Sequence, residues 1–328
     1  MAGPWGWVLT LILGVFGPAI QAQDEAKTKP RPPAEIAFAA LKPDAIVPVA
    51  LEPGAAVTTD ALWVPQRQSG AVVRINPKTN AADTPVPVGK KPCASLAVAF
   101  EFLWVPLCDG AGVARVEPTS GNVSPAMPLP VADPSGSIAV AVGSLWILTD
   151  AKGVLSRVDP DTTTVVAETY VSARPVAIAA AEDALWVTTE EGDLLTRVNP
   201  HTNVVVETVK VGPRPGRVVV GEGAVWTLNR GDGSVSRVDT KTNKLVTTIA
   251  VGEGAASGDI AVGEGSVWIS AVGVPVMRID PRTNRLVQRF SGDGGGAVVV
   301  GHGSLWVAAG RAVTWRLDPK LVAAMRPQ

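Results

Sequence analysis

Few residues of this chain have the chemistry for catalysis. Its 328 residues include two histidines and two cysteines. His201 follows Asn199-Pro200, and His302 sits in Val300-Gly301-His302-Gly303, so both read as solvated turn residues. No histidine is placed to serve a Ser-His-Asp set, and no phosphate-binding glycine loop or zinc spacing occurs. Charged residues with potential for ion recognition are better represented. Lys90, Lys91, Arg174, Arg214 and Arg217 form one set of bases. Arg67, Lys152, Arg230 and Arg311 form a second. The acids that accompany them are Asp109, Asp133, Asp150, Glu190, Glu191, Glu253, Asp259 and Asp293.

What these residues can do depends on the elements that carry them, and an internal repeat defines those elements. Leu-Trp or Val-Trp recurs at Trp63, Trp104, Trp146, Trp186, Trp226, Trp268 and Trp306, every 38 to 42 residues. Ten or eleven residues after each Trp stands an Arg: Arg74, Arg115, Arg157, Arg197, Arg237, Arg278 and Arg316. Within one unit, four short β-branched runs alternate with turns. In the fifth unit the turns are Gly221-Glu222-Gly223, Asn229 to Gly233 and Asp239 to Asn243. Four antiparallel strands in about 40 residues make a propeller blade.

The expected fold is therefore all-β: a seven-bladed β-propeller of four-stranded antiparallel blades. Small apolar first strands, such as Ile138-Ala139-Val140-Ala141, suit the crowded axis. The tryptophans fill the wider space between blades. The seventh unit lacks a fourth strand after Asp318-Pro319, and Ile46 to Ala50 has the register of one. An N-terminal strand is expected to complete the last blade and close the ring. Cys93 opens the first strand of the second blade and Cys108 closes its second strand. In a hairpin turning at Phe100 and Glu101 they face each other, which predicts a disulfide.

This frame sorts the charges by face. Lys90, Lys91, Arg174, Arg214 and Arg217 fall in loops from one blade's fourth strand to the next blade's first, around the mouth of the channel. Arg230 lies further out on the same face. Asp259 enters a first strand where other copies carry apolar or small residues. The set is either a mixed solvated surface or a polarised mouth for an anionic or zwitterionic ligand. Both histidines fall on the opposite face.

The units, exemplified by Val211-Gly212-Pro213-Arg214-Pro215, Val220 to Trp226, Arg237-Val238-Asp239 and Thr242-Asn243, resemble the YVTN-type β-propellers, including their streptogramin-lyase-like branch. The resemblance covers residues 45 to 319. It implies a seven-bladed fold. A lyase of that branch is expected to use a histidine and a divalent cation on the ligand face, where this chain has no matching histidine.

Charge and leader complete the reading. A net charge of −1 argues against nucleic-acid and membrane-surface partners. Residues 1–22 read as a signal peptide, with the apolar run Trp5 to Phe16 and small residues to Ala22. Residues 23–44 read as a Pro-rich tether and 45–328 as the propeller, with no membrane span after cleavage. The expected protein is exported, periplasmic or extracellular, and binds a small anionic ligand, a peptide or an envelope protein. It needs no cofactor. The alternative is a lyase or lactonase that uses Ca²⁺ or Mg²⁺ on rim carboxylates such as Asp259 and Asp293.

Overall fold

The structure, a computed structural model, describes residues 32–327 apart from 94, 109–111, 133–136 and 182, together with Met1 and Gly3. The signal-peptide reading lies outside the described residues, as do Asp109, Asp133 and the side chain of Glu253.

The alternating apolar runs fold into seven antiparallel sheets, which are the seven blades. Blade five is representative, with strands Pro215–Gly221, Ala224–Asn229, Ser234–Asp239 and Leu245–Ala250 in chain order from the axis outward. First strands of successive blades contact one another and surround the central axis. The repeat tryptophans are all buried, at 2 % exposure or less. Each stands opposite the repeat arginine of the neighbouring strand, as Trp226 does Arg237. In five blades that guanidinium lies over the indole, 5.2–5.9 Å from its centroid.

The repeat arginines also tie the blades together. Arg157 Nη1 donates to Asn203 Oδ1 (3.3 Å), Arg197 to Asn243 (3.2 Å), Arg237 to Asn284 (2.6 Å) and Arg316 to Asn80 (3.0 Å). Each acceptor sits in the turn of the next blade at positive φ, a conformation asparagine accepts at low cost. In these four blades the Arg and the Thr-Asn turn of the repeat are thus two halves of one inter-blade clamp.

The ring closes as the sequence implies. Strand β1 (Ala34–Ala37) is followed by β2 (Ala45–Val47), and β2 pairs antiparallel with Thr314–Leu317 as the outer strand of blade seven. The tether reading of 23–44 is corrected at its C-terminal end. Strand β1 pairs in parallel with Arg285–Ser291 on the edge of blade six, and Ile36 and Phe38 are buried. Phe38 stacks on Trp315 with centroids 4.6 Å apart. The Ala-rich composition hides a strand whose partner edge is remote in sequence. Helix α1 (Pro319–Ala324), capped by Asp318, follows the last strand, and Gln288 Nε2 donates to its Val322 carbonyl (3.1 Å).

Cys93 and Cys108 form the expected disulfide, with Cα atoms 5.2 Å apart. Their register is not the uninterrupted one. Ala97 opposes Trp104, but Pro92 opposes Leu107, so the pairing slips by two residues before the cysteines. Blades four and five slip in the same place, after their first-strand prolines Pro175 and Pro215. Proline has no N–H for the ladder there.

Candidate functional site

The loops entering blades two, four and five share one local device. Lys91, Arg174 and Arg214 each precede a first-strand proline and each has φ between 45° and 58°. Non-glycine residues seldom take this conformation. It reverses the chain at the mouth. In blade five the loop is further held by Arg230 N–H to Arg214 O (2.9 Å) and by Arg214 N–H to Asp193 Oδ1 (2.8 Å).

The structure brings four of the sequence candidates together around two acids. Glu190 is nearly buried, and its carboxylate meets Arg174 Nη2 at 2.6 Å, Arg214 Nη2 at 3.7 Å and Arg230 Nη1 at 4.0 Å. Asp259 is buried in the first strand of blade six and lies 3.6 Å from Arg217 Nε. Four guanidiniums therefore share two carboxyl groups. Burial, then the neighbouring Arg217, and further Arg214, pull the Arg230 guanidinium below its ordinary pKa, with Glu190 opposing. Gly216 makes room for this side chain. A Cβ at that position would stand 2.5 Å from Arg230 Nε. Sequence reasoning assigned Glu190 no special place among the acids. Only its position at the end of the second strand of blade four puts it beneath three arginines.

Asp259 does a second job. Its Oδ2 accepts the N–H of Val298 in blade seven (3.3 Å). Burial raises its carboxyl above the ordinary aspartate range, with Arg217 opposing. It belongs to a belt of bonds that joins the blades near the mouth. Ser95 Oγ accepts from Ile138 N–H (3.2 Å), Ser137 Oγ from Ile178 N–H (2.9 Å), and Thr188 Oγ1 donates to Gly216 O (2.7 Å).

Lys90 and Lys91 do not join the arginine cluster. They line a separate cavity of about 850 Å³ with Glu52, Arg67 and Gln68 at blades one and two. Glu52 accepts from Arg67 N–H at 3.2 Å, and burial raises its carboxyl. The Lys91 carbonyl accepts from Cys108 N–H (3.0 Å), so the disulfide hairpin anchors this loop. Lys152, Arg311 and Glu191 are exposed, as is Asp293 on the loop into blade seven. His201 and His302 occupy turns on the opposite face, and His302 Nε2 lies 3.3 Å from Ala61 O of blade one. Among the described residues no group of three or more His, Cys, Asp or Glu converges as a metal site would require.

The fold places the chain in the class of seven-bladed β-propellers, with streptogramin B lyase-like structural neighbours. Virginiamycin B lyase of Staphylococcus aureus, in a catalytically inactive His-to-Ala form with quinupristin, superposes with a TM-score of 0.68 at 17 % identity, over 82 % of this chain and 95 % of that one. A streptogramin B lyase gives 0.65 and 17 %, over 82 % and 93 %. BamB of Moraxella catarrhalis gives 0.64 and 13 %, over 82 % and 84 %. At such identities the likeness is one of fold. No protein-family model matches the chain, and no curated protein matches it.

Proposed function

We propose that the chain is an exported binding module whose arginine-rich mouth takes an anionic small molecule or peptide segment. One observation carries this reading: Arg174, Arg214, Arg217 and Arg230 crowd about two acids, with Arg230 under desolvation and like-charge stress. A cluster of this kind lowers its free energy when an anion enters. Guanidiniums suit carboxylate and phosphate because their planar donors match two oxygens at once. The neighbours include lyases and BamB, so the fold hosts different activities and the choice rests on the mouth. The Cys93–Cys108 disulfide, and the absence among the described residues of a helix able to cross a membrane, are compatible with export.

Calorimetry with phosphate, citrate and an acidic peptide tests the proposal. At least one is expected to bind the intact chain. Arg214→Gln with Arg230→Gln is expected to weaken it about tenfold to a hundredfold, the range for charge-assisted bonds. A bound ligand at a hundred times its Kd should stabilise the fold by about 2.7 kcal/mol. No binding across the panel, or binding indifferent to the double variant, refutes the assignment.

A further inference from the structure

The separate cavity at blades one and two is polar throughout. Arg67, Lys90 and Lys91 supply its cations, and Glu52, Gln68 and Ser69 its other side chains. Gly70 and Gly89 add only backbone, and among the described residues no aliphatic or aromatic side chain lines it. Three segments build the wall. Glu52 follows the ring-closing strand β2, residues 67–70 join the second and third strands of blade one, and residues 88–91 lead into blade two. These segments are tied to one another. Gln66 Nε2 donates to Ala50 O (2.9 Å), Arg67 N–H to Glu52 (3.2 Å) and Val88 N–H to Gly70 O (2.9 Å). Glycine lets the two loops touch, since a Cβ at Gly70 would collide with the Gly89 carbonyl. Behind them the disulfide hairpin holds the Lys91 carbonyl through Cys108 N–H. The cavity is therefore held open by the bonds that close the ring at this point.

Three cations face a single carboxyl here, and burial raises that carboxyl above the ordinary glutamate range, with Arg67 opposing. Arg67 is half-buried, and its Nε is fully covered without an acceptor. Among the described residues neither its guanidinium nor the Lys90 ammonium has a hydrogen-bond or salt-bridge partner. Arg197 and Arg237 also bury Nε, but each spends Nη1 on the next blade. Arg67 has no such structural employment for its charge. We propose that this cavity is a second ligand site, for a phosphate monoester of a polyhydroxylated molecule such as a hexose. Its phosphate sits on Arg67, Lys90 and Lys91, and its hydroxyls meet Glu52, Gln68 and Ser69. A phosphate monoester carries nearly two negative charges at neutral pH and three acceptor oxygens, which suits a site with an excess of two to three positive charges. A guanidinium engages two of those oxygens at once, and each ammonium adds a point charge. The rest of the wall selects hydroxyls, because an apolar group would find no apolar surface there and a polar one finds acceptors and donors. The site is independent of the arginine mouth and binds without making or breaking a bond.

Calorimetry on the full chain with glucose 6-phosphate, inorganic phosphate and glucose tests this. Glucose 6-phosphate is expected to bind about tenfold or more tighter than phosphate, and glucose not measurably. Arg67→Gln with Lys90→Gln should weaken glucose 6-phosphate about tenfold to a hundredfold, the range for charge-assisted bonds. Lys90→Glu changes only an exposed side chain, so a loss there cannot be ascribed to misfolding; it should weaken binding at least about tenfold. Gln68→Ala with Ser69→Ala should bring glucose 6-phosphate down towards phosphate. In the Arg214→Gln/Arg230→Gln chain, where the mouth is weakened, glucose 6-phosphate should still bind at one site. If it binds no tighter than phosphate, the ligand class is wrong. If its binding is lost in Arg214→Gln/Arg230→Gln and unchanged in Lys90→Glu, it sits at the mouth, so the second site falls and the anion-binding reading of the mouth stands. If glucose 6-phosphate does not bind at all, the second site falls whatever the mouth takes.

Discussion

Asp259 is where the stability of the ring and the charge of the mouth meet, and its replacement separates the two. At 3.6 Å from Arg217 Nε, a full charge pair is worth about 5 kcal/mol in gross attraction at an effective dielectric of ~20. Burying the carboxylate costs several kcal/mol, so most of that attraction is offset. Asp259→Asn keeps the size and the acceptor for Val298 N–H. It should therefore lie within about 2 kcal/mol of the unaltered chain at acid pH. Asp259→Ala also strips that N–H of its partner and should cost about 3–5 kcal/mol. The sharper signature is pH dependence. The folded chain holds the Asp259 proton more tightly than the unfolded chain, because burial raises this carboxyl. Its contribution to stability is fully present below the ordinary aspartate value of about 3.9 and is lost as pH rises to the folded value. Across that window the unaltered chain should lose up to about 1.4 kcal/mol per pH unit relative to Asp259→Asn. Denaturant unfolding from pH 4 to 8 measures this difference. Parallel stability curves for the two proteins would show that burial does not raise the Asp259 carboxyl.

Three further outcomes follow from the same contacts. Gly216→Ala places a methyl against the Arg230 side chain and should lower anion affinity with little loss of thermal stability, which calorimetry and a melting curve distinguish. Arg237→Ala removes bonds to Asn284 and to the Pro281 carbonyl and a stack on Trp226, and should cost about 2–3 kcal/mol in denaturant unfolding. Cys93→Ala with Cys108→Ala opens the anchor of the Lys90–Lys91 loop and should cost about 3 kcal/mol, the loop-entropy figure for a closure of this length; dithiothreitol should lower the melting temperature of the unaltered chain alone.

The architecture was legible because it is written seven times. A Trp and an Arg at fixed spacing specify which strands pair, and the pairing of Trp226 with Arg237 or Trp186 with Arg197 repeats that spacing in three dimensions. The closing strand β2 was legible for a related reason: the seventh unit lacks the outer strand every other unit has. Strand β1 was not, since Ala34-Glu35-Ile36-Ala37 has no counterpart in the repeat and lies beside residues some 250 positions away. The candidate site was half legible. Loop position put Arg174, Arg214 and Arg217 at the mouth, but sequence treats every rim charge alike. It separated neither Lys90 and Lys91, which line their own cavity, nor Glu190, whose importance comes from three side chains on three different segments.

The belt of inter-blade bonds explains why the crowded arginines persist. From blade two to blade seven the mouth is joined by Ser95, Ser137, Thr188 and then the Arg217–Asp259–Val298 relay. Three of these links join a hydroxyl to the backbone, and a fourth joins the Asp259 carboxyl to Val298 N–H. The fifth uses a charge pair, and it falls between blades five and six, directly beside Arg230 and Arg214. A serine or threonine would bridge that gap as well as its counterparts do and would leave Arg230 with one fewer like charge beside it. The ionic link is thus the costlier solution at the one joint where positive charge can face both the channel and the rim. Stability alone does not favour that choice. On the anion-binding proposal an arriving anion would favour it, because the donors it meets are already held in place by the bonds that close the ring.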